Sequence, residues 1–201
     1  MTRIFPSVVA MFLFSFVVQA AEVNVMDELD PFAPNIESIL KQLDAEQEAA
    51  TGMPSHIEDN QSQMTKASCY RLSCRVWAQV NLSKQVIYIY VDGKYTAAYY
   101  VSSGIAGFDT PTFDTRPNGR IYDKYTSTKY PDGDYKGLGN MPYAVFISGG
   151  FAIHGTTEGN FKKLGTRASH GCIRMHPDAA EYYNKLVRYV GVKDAWITVE
   201  Y

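Results

Sequence analysis

Two runs of β-branched and aromatic residues, 85–91 and 94–101, flank the dipeptide Asp92-Gly93. Glycine tolerates the positive φ that a two-residue hairpin turn requires, so this arrangement predicts a tight β-hairpin. Four more runs have the composition or alternation of strands: residues 75–80, 142–147, 150–153 and 196–200. With 15 Tyr and 10 Phe in the chain, a composition that suits sheets, we expect a mainly β fold with a few helices (α+β).

Two segments have the apolar spacing of helices. Residues 35–50 carry a narrow apolar stripe after Asn35, a candidate N-cap, and residues 178–189 follow Pro177 at a first-turn position. Between the predicted strands, residues 104–136 are rich in Gly, Pro, Asp and Thr and predict a long loop with short strands.

The N-terminus has the pattern of a secretory signal. Arg3 supplies the positive charge, residues 4–18 are largely apolar, and Val18-Gln19-Ala20 satisfies the small-residue rule for cleavage. A membrane anchor is the alternative, but the stretch is shorter than the ~20 apolar residues of a spanning helix. We therefore expect an exported protein of the periplasm or cell envelope, with no stable membrane insertion after cleavage.

Charge divides the chain that follows the signal. Residues 21–61 hold ten of the 21 acidic residues and one of the 19 basic residues, whereas the later part is net positive. We expect a signal peptide at 1–20, an acidic arm with one helix at 21–66 that docks on the basic surface, and a catalytic domain at 67–201. A basic domain suits an anionic partner. The alternative is that the charges of the acidic arm and of the basic domain only keep the protein soluble. We expect no nucleic-acid partner.

Three cysteines in an exported chain leave one unpaired. Cys69 and Cys74 are close enough in sequence to close a small disulfide loop in an oxidising compartment. The alternative, a zinc site, lacks a second pair of ligands at suitable spacing. We favour the disulfide, expect no metal site, and leave Cys172 as a free thiol.

Cys172 lies in Ser169-His170-Gly171-Cys172, with His154 upstream at the end of an apolar run. A thiolate is the reactive form of cysteine, and a nearby base generates it. We interpret Cys172, placed between a loop and a helix, as a nucleophile and His154 as its base. The alternatives are a buried core cysteine and a structural histidine.

The neighbouring residues allow several roles. Gly171 lets the backbone turn sharply and directs main-chain N–H groups toward a substrate carbonyl. His170 could pair with the thiol, line the oxyanion pocket or brace the loop. Ser169 could form a hydrogen bond with the local backbone, which is a structural role, or it could have a functional role. Arg174 could bind a substrate carboxylate, the alternative being a surface ion pair.

These residues resemble the L,D-transpeptidase catalytic domain (YkuD type) of bacterial cell-wall enzymes. That family has a histidine, then Ser or Thr before His-Gly-Cys and commonly an Arg two residues later, and His154, Ser169-His170-Gly171-Cys172 and Arg174 match it. Three further segments agree: Thr110-Pro111-Thr112, Met141-Pro142-Tyr143 and His176-Pro177-Asp178.

The resemblance implies a β-sandwich-like catalytic domain that acts on peptidoglycan stem peptides without a cofactor; the N-terminal helical arm expected from the sequence precedes it. Cys172 would attack the third stem residue and expel the terminal D-alanine, with N–H groups of Gly171 and Cys172 and the ring of His170 at the oxyanion. The carbonyl of Gly155 would orient His154. Tyr143, Ser169, Gly155 and Arg174 would form the substrate-binding part of the site.

The acyl acceptor is open at this point. A neighbouring stem amine would give a cross-link, while water, a D-amino acid or a lysine of a wall-anchored protein would give carboxypeptidase, exchange, anchoring or release activity. A papain-like protease or amidase and a non-catalytic wall-binding protein are alternatives from other classes.

Overall fold

The fold is taken from a computed structural model, which describes residues 29–55, 69–125 and 133–201. The predicted signal peptide and both ends of the predicted arm lie outside the described residues. Two α-helices are present in this part of the chain, α1 (Ile36–Thr51) and α2 (Pro177–Val190). Eight strands accompany them: β1 (Val76–Asn81), β2 (Val86–Val91), β3 (Lys94–Ser102), β4 (Phe113–Thr115), β5 (Val145–Ser148), β6 (Phe151–Gly155), β7 (Ile173–Met175) and β8 (Ala195–Glu200).

The eight described strands are hydrogen-bonded in the order β4-β8-β1-β2-β3-β7-β6-β5. β3 pairs with β2 and, through Val101 and Ser102, with β7, so it joins the two halves of the sheet. Two pairs are parallel, β1 with β8 and β6 with β7, and the others are antiparallel. Strands of both halves and α2 contribute to one buried apolar core. The mainly β, sandwich-like fold with few helices is confirmed.

The hairpin formed by β2 and β3 turns at Asp92 and Gly93 as the sequence predicts. Both residues have positive φ, 48° and 73°, which is the backbone of a type I′ turn. Buried Ile87 and Ile89 alternate with less buried neighbours along β2. The hairpin therefore presents one apolar face to the core.

Helix α2 begins at Pro177, and His176 lies at its N-cap, where Nδ1 accepts the N–H of Asp178 at 3.3 Å. The helix packs on β6 and β1. One expectation was wrong: Cys172 is not followed directly by this helix, because the strand β7 (Ile173–Met175) comes between them. Three residues are too few for a periodicity, and β7 exists through its pairing with β6 and β3.

Helix α1 also differs from the prediction at its first turn. The side chain of Asn35 makes no capping hydrogen bond; its backbone carbonyl accepts the N–H groups of Ser38 and Ile39. Gly52, with φ of 68°, ends the helix. The predicted disulfide between Cys69 and Cys74 is confirmed. In the described part of the chain, no helix combines the length and the apolar character needed to cross a membrane.

Candidate active site

The pairing of β6 with β7 places the candidate nucleophile and base on one face of the sheet. Ile153 is registered with Ile173, and His154 with Arg174. Cys172 directly precedes β7 and packs in the same apolar cluster as Ala152. Since side chains alternate along a strand, His154 projects from the face that carries Ala152 and Cys172. Residues 18 apart in sequence thus share one face of the sheet.

His154 is held in one orientation by its own strand. Its Nδ1 lies 2.8 Å from the carbonyl oxygen of Gly155. A carbonyl can only accept, so Nδ1 carries the hydrogen, and Nε2 of the neutral ring is left as the proton acceptor. The expected contact with the Gly155 carbonyl is therefore confirmed. Gly155 also has no room for a side chain, since a Cβ there would lie 2.9 Å from both Pro142 and Pro177.

The turn before Cys172 is held by short polar contacts. Ser169 donates its hydroxyl hydrogen to the carbonyl of Cys172 at 2.6 Å and accepts the N–H of Gly171 at 3.2 Å. Gly171 has φ of 115°, a conformation that only glycine adopts without strain. Ser169 thus bonds the backbone locally, which was one of the two roles considered for it. The Gly171 N–H is occupied by this contact, unlike the arrangement expected for an oxyanion donor.

Thr110 is a site residue that the sequence argument did not assign. Its hydroxyl donates to the carbonyl of Gly171 at 2.7 Å and accepts the N–H of Gly104 at 2.9 Å. It belongs to the motif Thr110-Pro111-Thr112, one of the segments that agree with the family resemblance. A threonine in a polar loop before proline gives no further signal, because its partner is 61 residues away in sequence.

Arg174 and His170 are two further residues predicted for the site. Arg174 is buried, 3% exposed, and its Nη1 donates to the carbonyl of Ala168 at 2.9 Å. Arg174 is thus a buried residue and not a surface one, and carboxylate binding stays a prediction. His170 is half-buried, and its ring meets the edge of Phe108 at 5.1 Å.

Tyr143 lies apart from this group. It packs against the core that includes α2, and not with the cluster around Cys172. Burial, with the charge and hydrogen bonding of Glu181, raises the pKa of the Tyr143 hydroxyl. Its predicted contact with substrate stays a prediction. Within the described residues, no group of three or more His, Cys, Asp or Glu side chains is placed to hold a metal ion.

Cys172 is completely buried, with 0% of its surface exposed. Its thiol donates toward the carbonyl of Gly150 at 3.4 Å. The cluster around it combines residues of the domain and of the arm: Leu29, Ile39, Leu40, Leu43, Tyr122, Tyr125, Met141, Ala144, Phe146 and Ala152. The apolar stripe predicted for the arm helix therefore packs on the domain, in the same buried cluster as the candidate nucleophile.

Two tyrosines of the cluster that contains Cys172, Tyr122 and Tyr125, have raised pKa values. Burial raises the pKa of Tyr125, and the acidic groups of Tyr122, Asp44 and Cys172 raise it further. Burial likewise raises the pKa of Tyr122, with a contribution from its hydrogen bond to Asp44. Both hydroxyls are neutral at physiological pH. They give Cys172 a neutral, largely apolar surrounding on this side.

Comparison with known proteins gives the family of the chain. A family model of the L,D-transpeptidase catalytic domain, YkuD, matches residues 75–194. A search of curated proteins gave no match.

Several solved structures are similar. The LD transpeptidase LdtMt1 in complex with imipenem is 21% identical and has a TM-score of 0.51, the match covering 63% of this chain and 59% of that chain. An L,D-transpeptidase from Mycobacterium smegmatis is 22% identical with a TM-score of 0.47, over 64% of this chain and 60% of that one. The NMR structure of the catalytic domain from E. faecium L,D-transpeptidase is 24% identical and has a TM-score of 0.46. The match covers 62% of this chain and 95% of that chain.

At these identities the likeness to LdtMt1 concerns the fold. The chain spans 59% and 60% of the length of the first two of these proteins. The family model, by contrast, covers more than half of the chain and includes the strands and the turn that carry His154 and Cys172. The chain belongs to the L,D-transpeptidase catalytic domain family.

Proposed function

We propose that this protein is a peptidoglycan L,D-transpeptidase whose nucleophile is Cys172 and whose base is His154. The observation that carries the proposal is the placement of His154 on the face of Cys172, with Nδ1 directed to the Gly155 carbonyl. That contact leaves Nε2 as the atom that can accept a proton. A buried imidazole with a fixed tautomer is suited to take the thiol proton and later return it.

The proposed reaction starts with transfer of the Cys172 proton to Nε2 of His154. The thiolate attacks the carbonyl on the L-centre of the third stem residue, and a tetrahedral oxyanion forms. Collapse of this intermediate breaks the amide bond, the leaving D-alanine amine takes the proton from His154, and a thioester remains. The amine of a neighbouring stem peptide then attacks the thioester, which forms the cross-link and frees the thiol.

We assign the oxyanion contact to the N–H of Cys172 and the ring of His170. The Gly171 N–H donates to Ser169, so Gly171 contributes the shape of the turn. A single oxyanion donor is worth about 3 kcal/mol in the barrier. Arg174, which donates to the carbonyl of Ala168, keeps the segment before the turn in place and is the candidate for a substrate carboxylate.

The cellular setting of this activity is part of the proposal. Peptidoglycan lies outside the cytoplasmic membrane, and the basic charge of residues 62–201 suits a polymer that carries carboxylates. The disulfide between Cys69 and Cys74 is typical of proteins in oxidising compartments. We therefore place the protein in the periplasm or cell envelope, with stem peptides as partners and a wall-anchored protein as the other candidate acceptor.

The acylation step is tested first, with imipenem, the ligand of the LdtMt1 complex. Purified protein and Cys172→Ala are incubated with imipenem to an end point and measured by intact-protein mass spectrometry. We expect one drug adduct on the wild-type protein and none on the variant. An adduct on both, or on neither, would contradict Cys172 as the acylated nucleophile.

The acceptor is tested with disaccharide-tetrapeptide and analysis of the muropeptides. A dimer lacking one D-alanine, absent with Cys172→Ala, is the expected product. Tripeptide without dimer would mean that water is the acceptor and would replace cross-linking by carboxypeptidase activity. End-point assays are chosen because slow access to the thiol lowers a rate and leaves the final product unchanged.

A further inference from the structure

Residues 29–55, named here the cover segment, form one wall of the cluster around Cys172. Leu29 and three residues of α1, Ile39, Leu40 and Leu43, are buried in that cluster. They face domain residues such as Tyr125 and Met141. The nucleophile therefore lies at the interface between the cover segment and the domain.

The cover segment also contacts the two glycines closest to the thiol. A Cβ on Gly150, whose carbonyl accepts the Cys172 thiol, would lie 2.7 Å from Ile36 and 2.9 Å from Pro31. A Cβ on Gly171 would lie 2.8 Å from Phe32 and 2.9 Å from Pro31. The start of the segment is thus in direct contact with the backbone on both sides of Cys172.

Aromatic contacts extend this closure to the proposed oxyanion side. The ring of Phe32 meets the edge of Phe151 at 5.2 Å and of Phe108 at 6.1 Å. Phe108 in turn meets the ring of His170 at 5.1 Å. The segment therefore covers the thiol and reaches, through one ring, the residue proposed beside the oxyanion.

A nearly buried ion pair fixes the helix on this site. Asp44 accepts a hydrogen bond from Nε of Arg120 at 3.1 Å, and the side chains are only 13% and 11% exposed. Tyr122 donates its hydroxyl hydrogen to the same carboxylate. Charge-assisted contacts in a dry environment give geometric specificity. They set the position of α1 over the cluster.

We infer that the cover segment is an intramolecular inhibitor that closes the active site until it is displaced. A stem peptide must bring a carbonyl carbon into bonding contact with Sγ, but Cys172 has no exposed surface. Pro31, Phe32 and Ile36 lie against the two glycines next to it. The segment occupies the space that the acyl donor needs, so the two exclude each other. This inference rests on the proposed function, because it concerns access to the proposed nucleophile.

The test measures access to the thiol without any substrate. Full-length protein is alkylated with iodoacetamide, and the adduct is followed by intact-protein mass spectrometry; Cys69 and Cys74 are paired, so a single adduct reports Cys172. The same protein in denaturant gives the uncovered rate. We expect native protein to be alkylated at about one hundredth of the rate in denaturant, or more slowly still, since labelling needs local opening.

Two variants loosen the cover segment in different ways. Leu40→Ser/Leu43→Ser removes apolar contacts, and its matched control is Lys41→Ser/Gln42→Ser on the exposed side of α1. Asp44→Asn removes the charge with little change in shape and serves if the double variant fails to fold in a thermal melt. We expect both to raise the alkylation rate about tenfold or more while the control stays at the wild-type rate.

The outcomes separate the inference from the proposed function. Native protein that labels at the denatured rate, or folded cover variants that label no faster than wild type, would overturn the closure. Faster labelling of the variants with no imipenem adduct on any of them would support the closure and reject the proposed acylation chemistry. Faster labelling together with faster adduct formation is the result expected if both hold.

Discussion

Thr110 donates its hydroxyl hydrogen to the carbonyl oxygen of Gly171 at 2.7 Å and so ties the long loop after β3 to the turn that carries Cys172. The same hydroxyl accepts the N–H of Gly104. Thr110 is buried, and buried polar groups that lose their partners are not compensated by water. The shape of the turn before Cys172 therefore depends on a side chain 61 residues before Gly171 in the chain.

Thr110→Val keeps the size of this side chain and removes both hydrogen bonds. We expect a loss of about 1–3 kcal/mol in the free energy of unfolding, as for other buried polar groups left without partners. Imipenem acylation should slow as well, because Gly171 is no longer held. Thermal melts and adduct kinetics measure the two effects, and Thr112→Val at an exposed neighbouring position is the control. Unchanged stability would contradict the role of Thr110.

His154→Gln tests the proposed base. Glutamine cannot take up the thiol proton, so we expect acylation by imipenem to fall by about a hundredfold or more. His176→Gln is the matched control, since His176 caps α2 and lies outside the proposed chemistry. Equal rates for His154→Gln and wild type, with both proteins folded by circular dichroism, would remove His154 from the mechanism.

Gly150→Ala tests the closure from the domain side. The added methyl group would overlap Ile36 and the backbone of Pro31, so we expect the cover segment to loosen and iodoacetamide to reach Cys172 faster. Gly159→Ala is the matched control, because a Cβ at that position meets nothing within 4 Å. If both variants alkylate at the wild-type rate, the contact at Gly150 does not contribute to closure.

Asp114 links the disulfide-closed turn to β8 and makes stability depend on pH. Burial raises its pKa, but hydrogen bonds from Trp196, Arg71, Tyr70 and Thr198 outweigh this and lower it from 3.8 to about 2. The folded chain therefore binds this proton less readily than the unfolded chain. The stabilisation is present above pH ~4 and disappears as the pH falls through about 2.

The expected size is about 1 kcal/mol, since Asp114 is partly exposed and its pairs are screened by solvent. Denaturant titrations at acid and neutral pH measure it. Asp114→Asn should be less stable than wild type at neutral pH, and the difference should shrink toward pH ~2. A difference that is constant with pH would mean that the carboxylate charge contributes nothing.

Local signals account for what the sequence predicted well. Asp92 and Gly93 adopt the turn their chemistry favours, and Pro177 begins the helix after the site. The contact of His154 with the Gly155 carbonyl, which the family resemblance implied, is likewise made between adjacent residues. Such features depend on neighbours in the chain and need no knowledge of the tertiary structure.

The features that the sequence did not reveal are made between distant segments. The strand β7 has three residues and exists through its pairing with β6 and β3. The arm was expected to dock through its apolar stripe and its charge; the stripe is buried with domain residues, and Arg120 is the basic partner of Asp44 and Glu37. No pattern within residues 35–50 indicates that their apolar stripe joins the buried cluster that contains Cys172.

Complete burial of Cys172 has a chemical consequence beyond access of substrate. Oxidation to sulfenic acid and exchange with a disulfide both require an approaching reagent to contact the sulfur. With none of its surface exposed, the thiol is shielded from peroxide as well as from the Cys69–Cys74 disulfide. For the proposed nucleophile in the proposed oxidising compartment, burial keeps the sulfur reduced and usable for as long as the cover segment stays in place.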